Sequence, residues 1–504
     1  MGIVDINKWK TKALALNAVV GFAAYFVYDM PQVLASGLIG SLSLTTTQVG
    51  LLYSAYALPN LFLAPISGFI IEKYGIVRST TAFTILMMIG QLIIFYGVAN
   101  KSYYSILTGR GIYGIGGEGF LILQPTVNEY WFSGSFLTIS NGLCQSANFL
   151  IVILGNYSMP IVYIMTKSLV MPNMLGVLSA IVSLVLGMIY VKFHMQHKDK
   201  RETKTVAQDD DSLNNTFDID VQDSRAEKQK NEKATGFKVI TQFSAKYWLL
   251  CGVYMVMANC YYQFTNIATD MITNRFGYSL KDAEKLNILP NLMIVIGTPL
   301  LSVFLQVQGK KAVAIMIGAW IYFFGYLLLF SLASEKSYFV NIGLVSIGVG
   351  YAILLSSAHS CVALIVPQHG LSMAYALMVF FETCGLTLLP LWVSYLSESR
   401  TKVAYNSCLI LLTMFSLIAI IISSILVLVD FRSNCLLDLP ENSKYAKSIL
   451  KKSSNFSQVN PSSNNSLSNI ELGSDLSPET PSNTLRRENK DLNEKYKTLE
   501  VCKQ

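Results

Sequence analysis

The chain has 504 residues, 52% of them hydrophobic and only 14% charged, with a formal net charge of +7. An ordinary globular domain is about a quarter charged, so this composition excludes a string of soluble domains. The lysines and arginines fall in loops and tail, and no basic helix interleaved with aromatics appears, so the charge gives no reason to expect a nucleic-acid partner.

In chain order, residues 1–12 read as a short cytosolic N-terminus carrying Lys8, Lys10 and Lys12. The apolar run that follows is too long for a signal peptide and reads as a first membrane helix. Apolar segments able to cross a bilayer, which takes roughly 20 residues each, are predicted near 13–36, 47–72, 79–99, 103–129, 135–157 and 172–193. The segment 194–243 is charged and poor in aromatics, and reads as a disordered cytosolic linker. Six more spans are predicted near 245–270, 284–306, 311–333, 337–364, 371–397 and 404–430, followed by a Ser/Asn-rich disordered tail over 431–504. The expected fold class is therefore an all-α polytopic membrane protein: twelve transmembrane helices in two six-helix halves, 13–193 and 244–430, embedded in a lipid bilayer.

Sliding the chain on itself by 234 residues places Tyr28 on Tyr262, Pro65 on Pro299 and Gly75 on Gly309. It also places Gly114 and Gly116 on Gly348 and Gly350, and Leu137 on Leu371. Two six-helix halves repeated in parallel are the arrangement of major facilitator transporters. Lysines and arginines favour the cytosolic side; Lys8, Lys73, Arg78, Lys310 and Lys311 then put both termini in the cytosol. The sequons at Asn100 and Asn156 are expected on the luminal or exterior side, each close to a span.

A carboxylate at mid-bilayer costs about 2.5–3.5 kcal/mol on insertion scales and faces the bundle interior. Four such acids stand out: Asp29, Glu118, Glu129 and Glu382. Glu118 lies in "GRGIYGIGGEGF", which also spells a G-x-G-x-x-G phosphate cradle. That cradle needs a strand before it and a helix starting at the glycines, whereas these glycines lie inside a span. They read as close-packing positions around one buried acid. Tyr25, Tyr28, Asp29 and Gln32 follow helical spacing in the first span. Asn259, Tyr262, Gln263 and Asn266 do so in the seventh. Such polar stripes read either as pore lining or as interhelix hydrogen bonding. Asn141, Gln145 and Asn148 add polarity to the fifth span, and Glu382 is the repeat mate of Asn148. His359 reads as a satisfied histidine with proton relay as the alternative. The candidate substrate site is Glu118, Asp29, Tyr28, Gln32, Asn148, Tyr262, Gln263, Asn266 and Glu382. Glu72, Arg78 and Arg110 are candidate gating or conformational residues. The eight cysteines show no paired spacing and read as small buried hydrophobes rather than a disulfide or zinc framework. No cofactor is implied.

"SGFIIEKYGIVR" resembles the loop signature of the major facilitator superfamily, with Glu72 where that family usually has Asp. "YFVYDMPQVL", "LLYSAYALPNLFLAPISGFIIEKYGI", "GRGIYGIGGEGFLILQPTVNEYWFSG" and "IVPQHGLSMAYALM" together resemble the lysosomal dipeptide transporter group, major facilitator superfamily domain-containing protein 1. The resemblance spans roughly 13–430. It implies export of dipeptides, cationic ones favoured, from the lysosome lumen to the cytosol, with a glycosylated single-pass accessory subunit as partner. The family's fourth-span glutamate maps onto Glu118. Its fifth-span arginine, which would hold the substrate's carboxylate, falls near Asn148 or Phe149, neither of them basic, and Glu382 stands where the family tends to have an uncharged amide. The alternatives are a proton-coupled transporter of another small polar or cationic metabolite, or a transporter-like sensor. An intramembrane protease is disfavoured: Tyr28–Asp29 offers a first motif, but a second, G-x-G-D, is missing.

Overall fold

The computed structural model describes residues 8–132, 135–213, 237–331, 337–366, 370–399, 401–433, 435, 437 and 438. Among these the chain is helical, with no strand. The first span is built from four pieces, Lys8–Val20, Phe22–Phe26, Met30–Val33 and Ala35–Leu42. The second begins as Thr46–Ala57 and continues into Asn60–Ala99, which folds back at Gly75 (φ 79°) to supply the third. The fourth to sixth spans are Tyr103–Trp131, Ser135–Thr166 and Val170–Leu213. After a short 3-10 turn, Phe237–Gln242, the second half follows: Ala245–Asn274, Leu280–Gln308, Lys311–Ser331, Tyr338–Ile365, Leu371–Ser397 and Lys402–Arg432.

Eight described helices are long and apolar enough to cross a membrane by length and composition, one of them the folded pair over Gln48–Ala99. The spans outside that set are the first, fourth and seventh. The first is broken into helices each too short to cross by itself, while the fourth and seventh carry the acid among glycines and a polar stripe, which lower their hydropathy. The expected all-α, two-half fold is borne out.

The 234-residue offset reappears in the geometry. Gly75 and Gly309 both take positive φ, 79° and 69°, at equivalent turns, a region open to glycine at little steric cost. A Cβ on Gly114 would land on the Tyr56 carbonyl of the second span; one on Gly348 would meet the Pro290 carbonyl oxygen of the eighth, at 2.6 Å. Tyr56 and Pro290 are themselves one repeat apart. Likewise Gly116 takes the third span at Phe83 and Met87, and Gly350 the ninth at Gly318 and Tyr322. The fourth and tenth spans thus sit in corresponding grooves because small residues let backbones approach.

Several expectations change. The sixth span stays helical to Leu213, beyond the expected linker boundary, and Val239 is fully buried against Gly370 at the start of the eleventh. Residues 214–236 lie outside the described residues, as does the tail beyond 438. The tail's first residues are packed: Leu437 is fully buried, and Lys310 and Lys311 donate backbone N–H to Asp438 and Leu437. Cys435, expected to be a buried hydrophobe, is disulfide-bonded.

Candidate functional site

Pro31 determines the local shape of the first span. Proline has no N–H and its ring clashes with the carbonyl four residues back, which here is Val27. The helix breaks over Val27–Asp29, and the fourth span repairs it: Arg110 Nη1 donates to Val27 O (3.2 Å), Nη2 to Tyr28 O (3.1 Å) and Nε to Leu52 O (3.4 Å). The guanidinium also lies over the Tyr53 and Tyr56 rings, 5.8 and 5.1 Å from their centroids. The partners of Arg110 are thus backbone carbonyls, two of them at the break, rather than an acid. Freed backbone groups inside a membrane must be satisfied by protein in this way. A second case links the halves: Pro299 frees the Val295 carbonyl, which accepts Ser146 Oγ at 2.6 Å.

The break turns Tyr28 and Asp29 into a central cavity of about 910 Å³. Its walls come from both halves and run away from the end of Lys8 and Asp438, past Ile39 and Ile164 on one side and Lys281 and Val393 on the other. Toward the end of Lys8 and Asp438 the halves are closed. Glu72 Oε1 there accepts the backbone N–H of Met373 in the first turn of the eleventh span (3.1 Å), where a helix presents unpaired donors. Gly68 packs on the same turn at Ser372 and Ala376, and Gly142 of the fifth span packs on Thr298 and Ser302 of the eighth. Arg78 is exposed and takes no part in the Glu72 contact.

Of the nine residues expected at the site, eight line the cavity: Tyr28, Asp29, Gln32, Glu118, Tyr262, Gln263, Asn266 and Glu382. Glu118 and Glu382 enter from opposite halves, 2% and 4% exposed, within electrostatic reach of each other. The Tyr56 hydroxyl faces Glu118 and the Tyr254 hydroxyl faces Glu382. Gly117 makes the former possible, since a Cβ there would come within 2.5 Å of Tyr56 Oη. The repeat mates Tyr28 and Tyr262 meet with ring centroids 5.8 Å apart. Gln32 reaches across the halves, donating to the Thr265 and Asn266 carbonyls (3.1 and 3.0 Å), so its amide nitrogen serves as a bridge as well as a wall.

Asn148 is the exception. It is fully buried and exchanges hydrogen bonds with Gln124 (2.8 and 3.3 Å) instead of lining the cavity. At about 100° per residue, Gln145, Phe149, Val152 and Asn156 take the cavity face of the fifth span, and Asn148 turns toward the fourth. There it joins a neutral amide network with Asn17, Gln124, Asn128 and Asn141. The Asn156 sequon is also corrected. The fifth span runs to Thr166, so Asn156 sits inside it, its Nδ2 donating to Asp29 Oδ2 at 2.7 Å within the cavity. Asn100 is exposed at the end of the third span. His359 is buried with Nδ1 unpartnered among the described residues, not satisfied as expected.

Sequence reasoning missed the tyrosines Tyr53, Tyr56, Tyr254 and Tyr261, and the charged mouth at Asp270, Lys281, Glu284 and Lys285. The "LLYSAY" spacing of Tyr53 and Tyr56, one helical turn apart, carried a usable signal. The mouth residues resemble any loop-proximal charges.

A helical membrane protein of two repeated six-span halves, with a polar cavity between them closed at one end, is built for alternating access. The profile described as Major Facilitator Superfamily matches residues 18–285. The chain belongs to the major facilitator superfamily and is a transporter rather than an enzyme. It is 24% identical over 427 residues to the lysosomal dipeptide transporter MFSD1 of Homo sapiens, covering 81% of this chain and 84% of that protein. The Mus musculus and Danio rerio proteins of the same name are 25% and 23% identical, over 81% and 77% of this chain and 84% and 82% of theirs. Among solved structures the fold matches the human organic anion transporter MFSD10 and the proton:xylose symporter XylE, each with a TM-score of 0.61, 12% identity and 82% of this chain covered. Those matches cover 99% and 94% of the respective chains.

Proposed function

We propose that this transporter exports dipeptides, cationic ones favoured, from the lysosome lumen to the cytosol by rocking its halves about the central cavity. The observation that carries the reading is the pair Glu118 and Glu382, two buried carboxylates brought into one cavity from opposite halves. Buried acids of this kind attract ammonium or guanidinium groups, and tyrosine faces around them add cation–π attraction. The names of the relatives support dipeptides and the lysosomal membrane. The lysine-rich loops at the closed end support a cytosolic placement of that end, so the cavity described is the lumen-facing state, ready to load. The resemblance over 13–430 supports a glycosylated single-pass accessory subunit as partner.

The test is uptake by purified protein in vesicles, with a panel of cationic, neutral and acidic dipeptides and free amino acids at two pH values. Glu118→Gln is expected to abolish dipeptide uptake while the protein still elutes as a monodisperse species. Wild-type uptake by that variant would remove Glu118 from the site.

One observation favours proton coupling as a second reading. The Tyr254 hydroxyl faces Glu382, and the Tyr254 ring lies 6.0 Å from that of His359, a buried histidine whose ring lies 5.7 Å from that of Tyr375. Tyr375 in turn lies within electrostatic reach of Glu129. Uptake that responds to an imposed proton gradient would support this reading; uptake indifferent to it would leave facilitated export.

A further inference from the structure

The cavity lining is lopsided in charge. Five carboxylates contribute to it, Asp29, Glu118, Asp270, Glu284 and Glu382, against two lysines. Both lysines, Lys281 and Lys285, are exposed in the first turns of the eighth span, and Lys285 lies 3.8 Å from Asp282. No arginine or histidine is among the lining residues described. Arg110, within electrostatic reach of Asp29, is fully buried and held by three carbonyls. The cavity face of the fifth span is closed by the Phe149 ring, 6.0 Å from that of Tyr261.

The unfilled bonding capacity tells the same story. Glu382 Oε2 is buried and unpartnered, an acceptor facing a cavity. Gln263, 1% exposed, leaves Nε2 without a partner, and Tyr25 leaves its hydroxyl so. A neutral amide and a phenol can serve an amide or carbonyl oxygen. They supply no counter-charge, and a carboxylate taken from water without one costs several kcal/mol. Two acids from opposite halves, by contrast, can each take a cation.

We propose that the cavity recognises two cationic groups of one substrate, one at Glu118 and one at Glu382, and does not require a carboxylate. The substrate class is a basic dipeptide read by its two ammonium or guanidinium groups, its C-terminal end accepted as a neutral amide as readily as the free acid. This rests on the dipeptide reading above and narrows it to the cationic end of the molecule.

The experiment is direct uptake of labelled lysyl-alanine, lysyl-alanine amide and alanyl-alanine amide by wild-type protein in vesicles, each measured above protein-free vesicles. Lysyl-alanine amide is expected to enter at least as well as the free acid, and alanyl-alanine amide, with one cation, about tenfold less well. An amide entering more than about threefold less well than the free acid overturns the inference and leaves dipeptide export standing. Equal uptake of the two amides overturns recognition of a second cation. Uptake of the lysyl amide without the acid retains the inference and overturns free dipeptides as the cargo. Uptake of neither overturns both.

Discussion

At the scale of single residues, the fourth span carries two charges with opposite duties. Glu118 faces the cavity with capacity to bind; Arg110 faces the broken first span and donates to three backbone oxygens. Replacing Arg110 by Met removes those donors and leaves the Tyr28 carbonyl unpaired, at about 1–3 kcal/mol, while Val27 O keeps the Met30 N–H. Arg110→Met is therefore expected to lower the unfolding midpoint in detergent strongly. A midpoint unchanged within error would mean that the break is held by other contacts, such as Tyr113 to Ala23. Glu382 meets the cavity from the other half, and its neutralisation removes one of two cation partners. Glu382→Gln is expected to shift uptake preference away from dipeptides with a cationic side chain, by about tenfold relative to neutral ones; an unchanged substrate profile would count against its role. Glu118 was legible in the sequence because an acid among glycines inside a span has few innocent explanations. Gln32 and Asn148 were legible as polar, but whether each served the cavity or a neighbouring helix was not.

At the scale of elements, glycines decide how closely helices approach. A Cβ on Gly114 would land on the Tyr56 backbone, whereas one on Gly111 would make an ordinary contact, 3.4 Å from the Ala55 carbonyl oxygen. Backbone cannot step aside as a flexible side chain can, and overpacking typically costs about 1–3 kcal/mol. Gly114→Ala is expected to lower thermal stability clearly while Gly111→Ala leaves it near wild type; equal effects of the two would show that the second and fourth spans separate at little cost. The prolines act oppositely, by opening helices. Pro31 and Pro299 each release a carbonyl, Val27 and Val295, that another helix takes up. The sequence announced the prolines but gave no sign of the partners, which lie far away along the chain.

At the scale of the whole molecule, the second half is tied together at the end where its last span finishes. Just after the last span, Asp438 Oδ1 accepts the backbone N–H of Ala312 (3.1 Å) and Val313 (3.4 Å), tying the start of the tail to the ninth span. Nearby, Asp430 is fully buried and paired with Lys246 at 2.6 Å. Burial, and the charge of Asp430 beside it, hold the Asp438 carboxyl above the usual carboxylate range. A carboxyl raised in the folded state favours its protonated form there. The carboxyl's contribution to stability is therefore fully present below the ordinary aspartate pKa of about 3.9 and is lost as pH rises through the raised one, the Ala312 and Val313 N–H groups offsetting part of that loss. Wild-type thermal stability is expected to fall over that window more than that of Asp438→Asn, which has nothing to titrate. Parallel pH profiles of the two proteins would remove the clasp from the account.

By itself the sequence determined the class of protein, the spans, the two-fold repeat and the presence of buried acids. Hydropathy, glycine and proline act locally, and a charge in an apolar run is costly wherever it lies. Only the tertiary structure decided which polar residues share a space. It joined Glu118 to Glu382, although the repeat relates neither to the other, and turned Asn148 away from the cavity and Asn156 into it. Those outcomes depend on helix rotation and on where each span ends. A shift of one residue turns a side chain about 100° around its helix, and packing between helices far apart in the chain, rather than local pattern, sets that rotation.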